Sequence, residues 1–356
     1  MCTKAEYSLP MKISMTITYS DDPLEAVANA QAMEKAGVDQ AWVAEAYSFD
    51  AVSTLGFLAA STTSMELVSG ILPIYSRTPT LIAMTAATLD SLSGGRFALG
   101  LGASGPQVVE GWHGVPYDRP LGRTREVVEI CRKVWKRERL EHAGRNYQMP
   151  LPADQGTGLG KPLKLINTPL RQDIPVYIAS IGEKNVELTA EVANGWIPVF
   201  FYPEKVNDAW GDSLAAGKAK RDASLGELEI IAGGAAVITK TEQEAIELRN
   251  FARPNAALYI GGMGAKSKNF YNTLFRRYGY EAEAEAIQDL YLDGKKDEAA
   301  ALIPDDFLAA TNLVGTEGFI KDRLAAFAEA GVTSLSLTPF GEDPLATVAS
   351  IKEWAN

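Results

Sequence analysis

Four short stretches of the chain combine residue types that could hold or transform a ligand. Val68-Ser69-Gly70-Ile71-Leu72-Pro73-Ile74-Tyr75-Ser76-Arg77-Thr78-Pro79 starts as a buried strand, then meets a glycine, two prolines and a polar run. Those residues suit a backbone that bends sharply or leaves room for a flat ligand; a tight turn is the plainer alternative. In Leu99-Gly100-Leu101-Gly102-Ala103-Ser104-Gly105-Pro106, small residues let the backbone approach a ligand closely. The pattern is neither a dinucleotide fingerprint nor a P-loop, and a ligand-free glycine turn would read the same. Ala179-Ser180-Ile181-Gly182-Glu183-Lys184-Asn185 opens a helix directly after a strand, where free N–H groups and the helix dipole suit a phosphate. Ser180 could also simply cap that helix. Finally, Trp42-Val43-Ala44-Glu45-Ala46-Tyr47 places a carboxylate just past an apolar strand; the alternative is a solvent-facing loop acid.

Other chemistries find little support. There are two histidines, His113 and His142, the latter read as a surface residue among charges. No G-x-S-x-G elbow accompanies them, and two distant histidines make a poor metal set. The two cysteines, Cys2 and Cys131, match no ligand spacing; Cys131 fits the buried face of an amphipathic helix. So few cysteines suit a reducing cytoplasm. The N-terminus lacks the apolar core of a signal peptide, and no run of about 18 apolar residues predicts a membrane span. A net charge of −11 argues against general nucleic-acid binding and requires that an anionic ligand be met locally.

The elements that must position these stretches alternate. Strands are predicted at residues 12–18, 40–44, 65–71, 96–101, 174–179, 195–200, 229–238 and 333–338. Helices are predicted at 24–36, 51–62, 80–92, 123–135, 183–193 and 319–330. Between 136 and 173 lies a Gly- and Pro-rich excursion read as loops and a hairpin. Repeated β-then-α units imply parallel strands with helical crossovers, and eight such units close a (β/α)8 barrel. With 356 residues, 46% hydrophobic and 22% charged, the chain reads as one soluble α/β domain. Residues 207–307 break the rhythm, so an insertion within 203–310 is expected, suited to a lid or a dimer surface. In a barrel, catalytic groups gather at the C-terminal strand ends, which is where all four stretches fall.

Taken together, these residues resemble the luciferase-like monooxygenase superfamily, and within it the oxidoreductases that depend on the deazaflavin coenzyme F420. The resemblance is carried by Ala36-Gly37-Val38-Asp39-Gln40-Ala41-Trp42-Val43-Ala44-Glu45, by residues 69–79, by Ser93-Gly94-Gly95-Arg96-Phe97-Ala98-Leu99-Gly100-Leu101-Gly102, and by residues 178–184 running on to Ala193-Asn194-Gly195-Trp196. It covers most of the chain and is weakest over 207–307. It implies a bacterial-luciferase-like TIM barrel with the cofactor ring across the C-terminal mouth. A bulge with a non-proline cis peptide is implied behind the ring at Ser69-Gly70-Ile71. The cofactor phosphate is implied near Ser180, Ile181 and Gly182, with further contacts from Gly102, Ala103 and Ser104. Met15, Trp112, Phe200 and Phe201 are candidates for the ring's free face, or for core.

Several relatives carry Asp-His after the second strand, where this chain has Glu45-Ala46. The acid is kept in kind and the imidazole is absent, so a sugar-phosphate dehydrogenase activity is not expected. Glu45 beside an apolar ring would be partly desolvated, which raises a carboxyl toward the range of a general acid. Glu45 is therefore the expected catalytic and cofactor-contacting acid, with Tyr47 or a bound water as other proton sources. The expected function is hydride transfer between F420 and a small organic substrate, in a cytoplasmic homodimer. An FMN-dependent monooxygenase on the same fold and a non-catalytic flavin- or deazaflavin-binding protein are the rivals.

Overall fold

A computed structural model describes residues 11–17, 21–264, 266 and 268–356. Cys2, the N-terminal segment and Thr18, the expected end of the first strand, lie outside them. Eight parallel strands form the barrel: β1 (Lys12–Ile17), β2 (Gln40–Val43), β3 (Glu66–Ser69), β4 (Phe97–Gly102), β5 (Val176–Ala179), β6 (Gly195–Ile197), β7 (Glu229–Ile238) and β8 (Ser334–Pro339). They pair in the order β7-β8-β1-β2-β3-β4-β5-β6, and β6 pairs with β7 to close the ring. The outer helices are α1 (Pro23–Lys35), α2 (Ala51–Ser61), α3 (Pro79–Leu92), α4 (Pro120–Trp135), α5 (Glu183–Val192), α6 (Val206–Lys218), α7 (Glu317–Glu329) and α8 (Pro344–Ala355).

Local chemistry sets the helix ends. Asp22 caps α1, Pro23 occupies its first turn, and the chain leaves through Gly37 at φ +84°. Asp50 caps α2, Thr78 caps α3 ahead of Pro79, and Thr316 caps α7. The excursion after α4 contains the expected hairpin, His142–Ala143 against Gln148–Met149. His142 is not a surface residue: its side chain is buried, with Nε2 3.2 Å from Glu126 Oε2. Cys131 is a free, buried thiol on α4.

Within residues 203–310, Val206–Lys218 and Glu229–Ile238 are the barrel elements α6 and β7. Between β7 and the short strand Leu313–Gly315, the chain forms helices that include Glu242–Arg249, Phe270–Arg277, Glu281–Leu292 and Asp305–Thr311. Leu313–Gly315 pairs with the far end of β7.

Strand alternation divides the core in two. Outward residues such as Ile13, Met15, Leu67 and Leu335 form the large layer between strands and helices. Inward residues Trp42, Val68, Ala98, Tyr177 and Ile231 form a smaller cluster inside the barrel. Below that cluster, at the N-terminal end, the lumen is polar. Gln40 Nε2 donates to Glu66 Oε2 at 2.6 Å, Ser334 Oγ donates to Gln40 Oε1 at 2.7 Å, and Lys12 Nζ lies 3.7 Å from both Glu66 and Glu229. Burial pushes the Glu66 carboxyl upward, with Lys12 opposing.

Candidate active site at the barrel mouth

The segment after β3 is a bulge. Val68 pairs with Ala98 and Leu72 pairs with Leu101, so Ser69, Gly70 and Ile71 stand opposite only Leu99 and Gly100. The strand expected to run through residue 71 stops at Ser69 for this reason. The Gly70–Ile71 bond is cis. Ser69 Oγ donates to the Gly100 carbonyl at 2.9 Å and accepts from the Gly100 N–H at 2.8 Å. Ser69 is fully buried, and its hydroxyl stitches β3 to β4. Gly100 is required here, because a Cβ would lie 1.8 Å from the Ser69 carbonyl oxygen.

On β6 the inward position is Ile197; on β2–β5 and β7 the positions that continue the inward alternation above the Trp42–Tyr177 layer are Ala44, Gly70, Gly102, Ala179, Gly233 and Ala235. None of the latter carries an atom beyond Cβ. They leave a cradle with a smooth wall on the β2–β5 and β7 sides, and Ile71 packs across Gly102, where a Cβ would come within 2.8 Å of its Cδ1. Hydroxyls at Thr16, Ser336 and Thr338 continue the same inward faces on β1 and β8. The Gly233-Gly234-Ala235 run and these hydroxyls are not among the residues predicted to form the site. Their signal is small or polar residues alternating with apolar ones in strands that otherwise bury large side chains.

The loop after β4 leaves the mouth through Gly102, Ala103 and Ser104, the last at φ +57°. Across the mouth, Gly182 is the N-cap of α5 with no side chain capping it. The N–H groups of Ile181, Gly182, Glu183 and Lys184 have no acceptor among the described residues. The Phe270 ring lies over Gly182, where a Cβ would be 3.2 Å from it. Glu183 in the first turn is paired with Arg277 at 2.8 Å. Ser180 neither caps the helix nor faces the mouth with its hydroxyl. It is buried, its Oγ bonds Thr189 Oγ1 at 2.8 Å, and its N–H donates to Ile197 O. The groups left open at this helix start are therefore the backbone N–H groups of Ile181–Lys184, not the Ser180 hydroxyl.

Glu45 is not a free acid. Arg77 donates from Nη1 to Oε1 at 2.5 Å and from Nη2 to Oε2 at 2.8 Å, and the Ala51 N–H donates to Oε2 at 3.1 Å. Arg77 also reaches Asp50 at 2.5 Å. The Glu45 hydrogen bond, reinforced by both carboxylate charges, raises the Arg77 guanidinium further. Burial works against ionisation of Asp50, but hydrogen bonds from Ser53 and the Arg77 charge hold it below the usual carboxylate range. The desolvated proton donor expected at Glu45 is thus an acceptor in a bidentate ion pair. Arg77 and Asp50 are the partners that sequence reasoning did not assign; they lie 32 and 5 positions away.

The four free-face candidates separate. Met15 belongs to the outer core and Phe201 is buried against Phe327. Phe200 sits among Tyr259, Tyr271 and Phe307. Trp112 is 66% exposed on the loop after β4, in contact with Tyr47, 69% exposed after β2, at a centroid distance of 6.3 Å. Among the described residues no cluster of His, Cys, Asp and Glu could hold a metal ion, and no helix is long and apolar enough to cross a membrane.

Comparison with known proteins gives a consistent set. The family model for luciferase-like monooxygenases matches residues 3–334. A Mycobacterium tuberculosis protein provisionally named a coenzyme F420-dependent oxidoreductase is 40% identical over 349 residues, 96% of this chain and 99% of that one. The 5,10-methylenetetrahydromethanopterin reductase of Archaeoglobus fulgidus is 28% identical, covering 87% and 88% of the two chains. The solved coenzyme F420-dependent tetrahydromethanopterin reductase from Methanopyrus kandleri shares the fold, with a TM-score of 0.77 at 22% identity over 97% of this chain and 98% of that one.

Proposed function

The chain belongs to the luciferase-like monooxygenase family, and from that premise we propose that it is a coenzyme F420-dependent oxidoreductase that exchanges a hydride with a small organic substrate. The observation that carries this reading is the mouth itself: six inward positions with no side chain beyond Cβ, backed by the Ser69–Ile71 bulge. A flat ring fits such a cradle. The uncapped start of α5 suits a phosphate, and the Gly102–Ser104 loop supplies backbone close by. When bound, the deazaflavin supplies the hydride chemistry.

The chain's own groups then divide the remaining work. The N–H groups of Ile181–Lys184 would hold the phosphate, and the bulge would back the ring. Arg77 fixes Glu45 and Asp50, so the loops after β2 and β3 present a rigid rim. With Ala46 in place of an imidazole, the proton moves through water or a hydroxyl at the mouth and not through Glu45. Oxidation of reduced F420 by a neutral acceptor in the presence of the chain, followed by the return of the oxidised deazaflavin's absorbance, tests the reading; no turnover of F420 with any acceptor in a broad screen would favour a binding role alone. A homodimer is part of the same proposal. It is supported by Phe57, Leu81, Met84 and Leu92, left exposed on the adjacent helices α2 and α3. A cytoplasmic location is supported by the free Cys131.

A further inference from the structure

We infer that Trp42 is a positioning residue, whose indole, propped from below by Tyr177, sets how deep the cofactor ring sits in the mouth. The inference rests on the reading that this mouth binds F420.

Trp42 points into the barrel from β2 and is 5% exposed. Its benzene edge lies directly against the bulge: a Cβ on Gly70 would stand 3.1 Å from Cε3, and one on Gly100 would stand 3.6 Å from Cζ3. Above it, Ala44, Gly70, Gly102 and Ala179 offer nothing beyond Cβ. On that side the indole, 5% exposed, lies beneath Gly70 and Gly100 and backs the bulge, whose Ile71 side chain lies across Gly102.

The indole is also braced. The Tyr177 ring lies below at a centroid distance of 5.7 Å, tilted by 31°. Tyr177 has room only because β6 has Gly195 opposite, where a Cβ would be 2.3 Å from its Cδ1. The Tyr177 hydroxyl donates to Glu229 at 3.2 Å, and Glu229 joins the polar layer of Lys12, Glu66, Gln40 and Ser334. The column from the N-terminal end of the lumen to the bulge is thus tied to β1, β2, β3, β5, β7 and β8. A floor anchored to most of the barrel cannot shift without shifting the strands.

Packing alone does not explain an indole at this position. Trp42 Nε1 is buried and has no hydrogen-bond partner among the described residues. A phenyl or isobutyl group would fill apolar space without burying an unpaired donor, which is an expense native cores avoid. The length of the fused ring, which lets it touch Gly70, Gly100 and Tyr177 together, is what a smaller side chain lacks.

The test uses the full chain, W42L and W42F, with oxidised F420. Binding is measured by fluorescence anisotropy. The hold on the ring is measured by the visible circular dichroism of the bound cofactor and by time-resolved anisotropy of its emission. With the phosphate still held at α5, W42L is expected to bind F420 within about threefold of the parent chain. Its induced visible band should fall by about half or more and a fast wobble should appear, with W42F restoring most of both. W42L that is folded and shows the parental band and decay would overturn the inference while leaving the F420 reading intact. Failure of the parent chain to bind F420 would overturn that reading and the inference with it. Should W42L not fold, Y177F decides: cutting the tether to Glu229 should widen the wobble at unchanged affinity, and an unchanged wobble would overturn the inference.

Discussion

Glu45 and Arg77 show how a residue's type can be read from sequence while its role cannot. An acid at the end of β2 was legible, because an apolar strand must release it at the mouth. Its partner was not, because Arg77 arrives from another loop. The ion pair changes the expected effect of substitution. General acids contribute about 10²–10⁴-fold, so a proton donor at Glu45 would make Glu45→Gln severe. A fixed rim residue predicts a loss of turnover below about tenfold at saturating cofactor. Arg77→Met should be the worse change, since it strands Glu45, 8% exposed, without its cation. Breaking a buried pair costs about 3–5 kcal/mol, which urea unfolding would register; a loss under about 1 kcal/mol would contradict the geometry. Ser69 and Ser180 teach the same lesson. Both hydroxyls looked available from sequence, and both are spent on partners, Gly100 and Thr189, that only the fold brings near.

Gly182 was legible as the start of α5, but its neighbour Phe270 was not, since it comes from the helical stretch beyond β7. Gly182→Val would drive branched methyls toward that ring and over the free N–H groups. Cofactor binding should weaken by about 1–3 kcal/mol, read by fluorescence titration on protein whose far-ultraviolet spectrum is unchanged. Parental affinity would remove the phosphate from this helix start. The boundary of β3 illustrates a different limit. Leu67-Val68 and Ile71-Leu72 form a continuous apolar run, and such a run does not reveal an extra residue in the ladder. The element that leads into β3 carries a pH signature. Glu34 on α1 accepts from the N–H groups of Thr63, Ser64 and Met65. Burial opposes its ionisation, but those backbone bonds outweigh it and bring its pKa from 4.5 down to about 2. A depressed folded-state pKa adds stability above the unfolded value and loses it as pH falls toward the folded one. The stability gap between the parent chain and Glu34→Gln should therefore be full above about pH 5 and close toward about pH 2. A gap that does not change over this range would mean the carboxylate has no such role.

The barrel as a whole was written in the alternation of β and α segments, and each of the eight expected strands has its counterpart. What the pattern could not supply was the interior. The polar layer of Lys12, Gln40, Glu66, Glu229 and Ser334 draws on five strands whose side chains meet only after closure. The smooth wall of the mouth likewise depends on Gly and Ala residues that look like ordinary small residues until the strands are in register. That wall, with the bulge and the uncapped α5, suits a flat ring that carries a phosphate, which F420 and FMN share; the named relatives are what favour F420. The direct test is an equilibrium titration of the purified chain with oxidised F420 and, separately, with FMN. F420 should bind at least about tenfold more tightly, a difference of about 1.4 kcal/mol. FMN binding as tightly as F420, or more so, would contradict the proposed function and return the chain to the flavin monooxygenase reading.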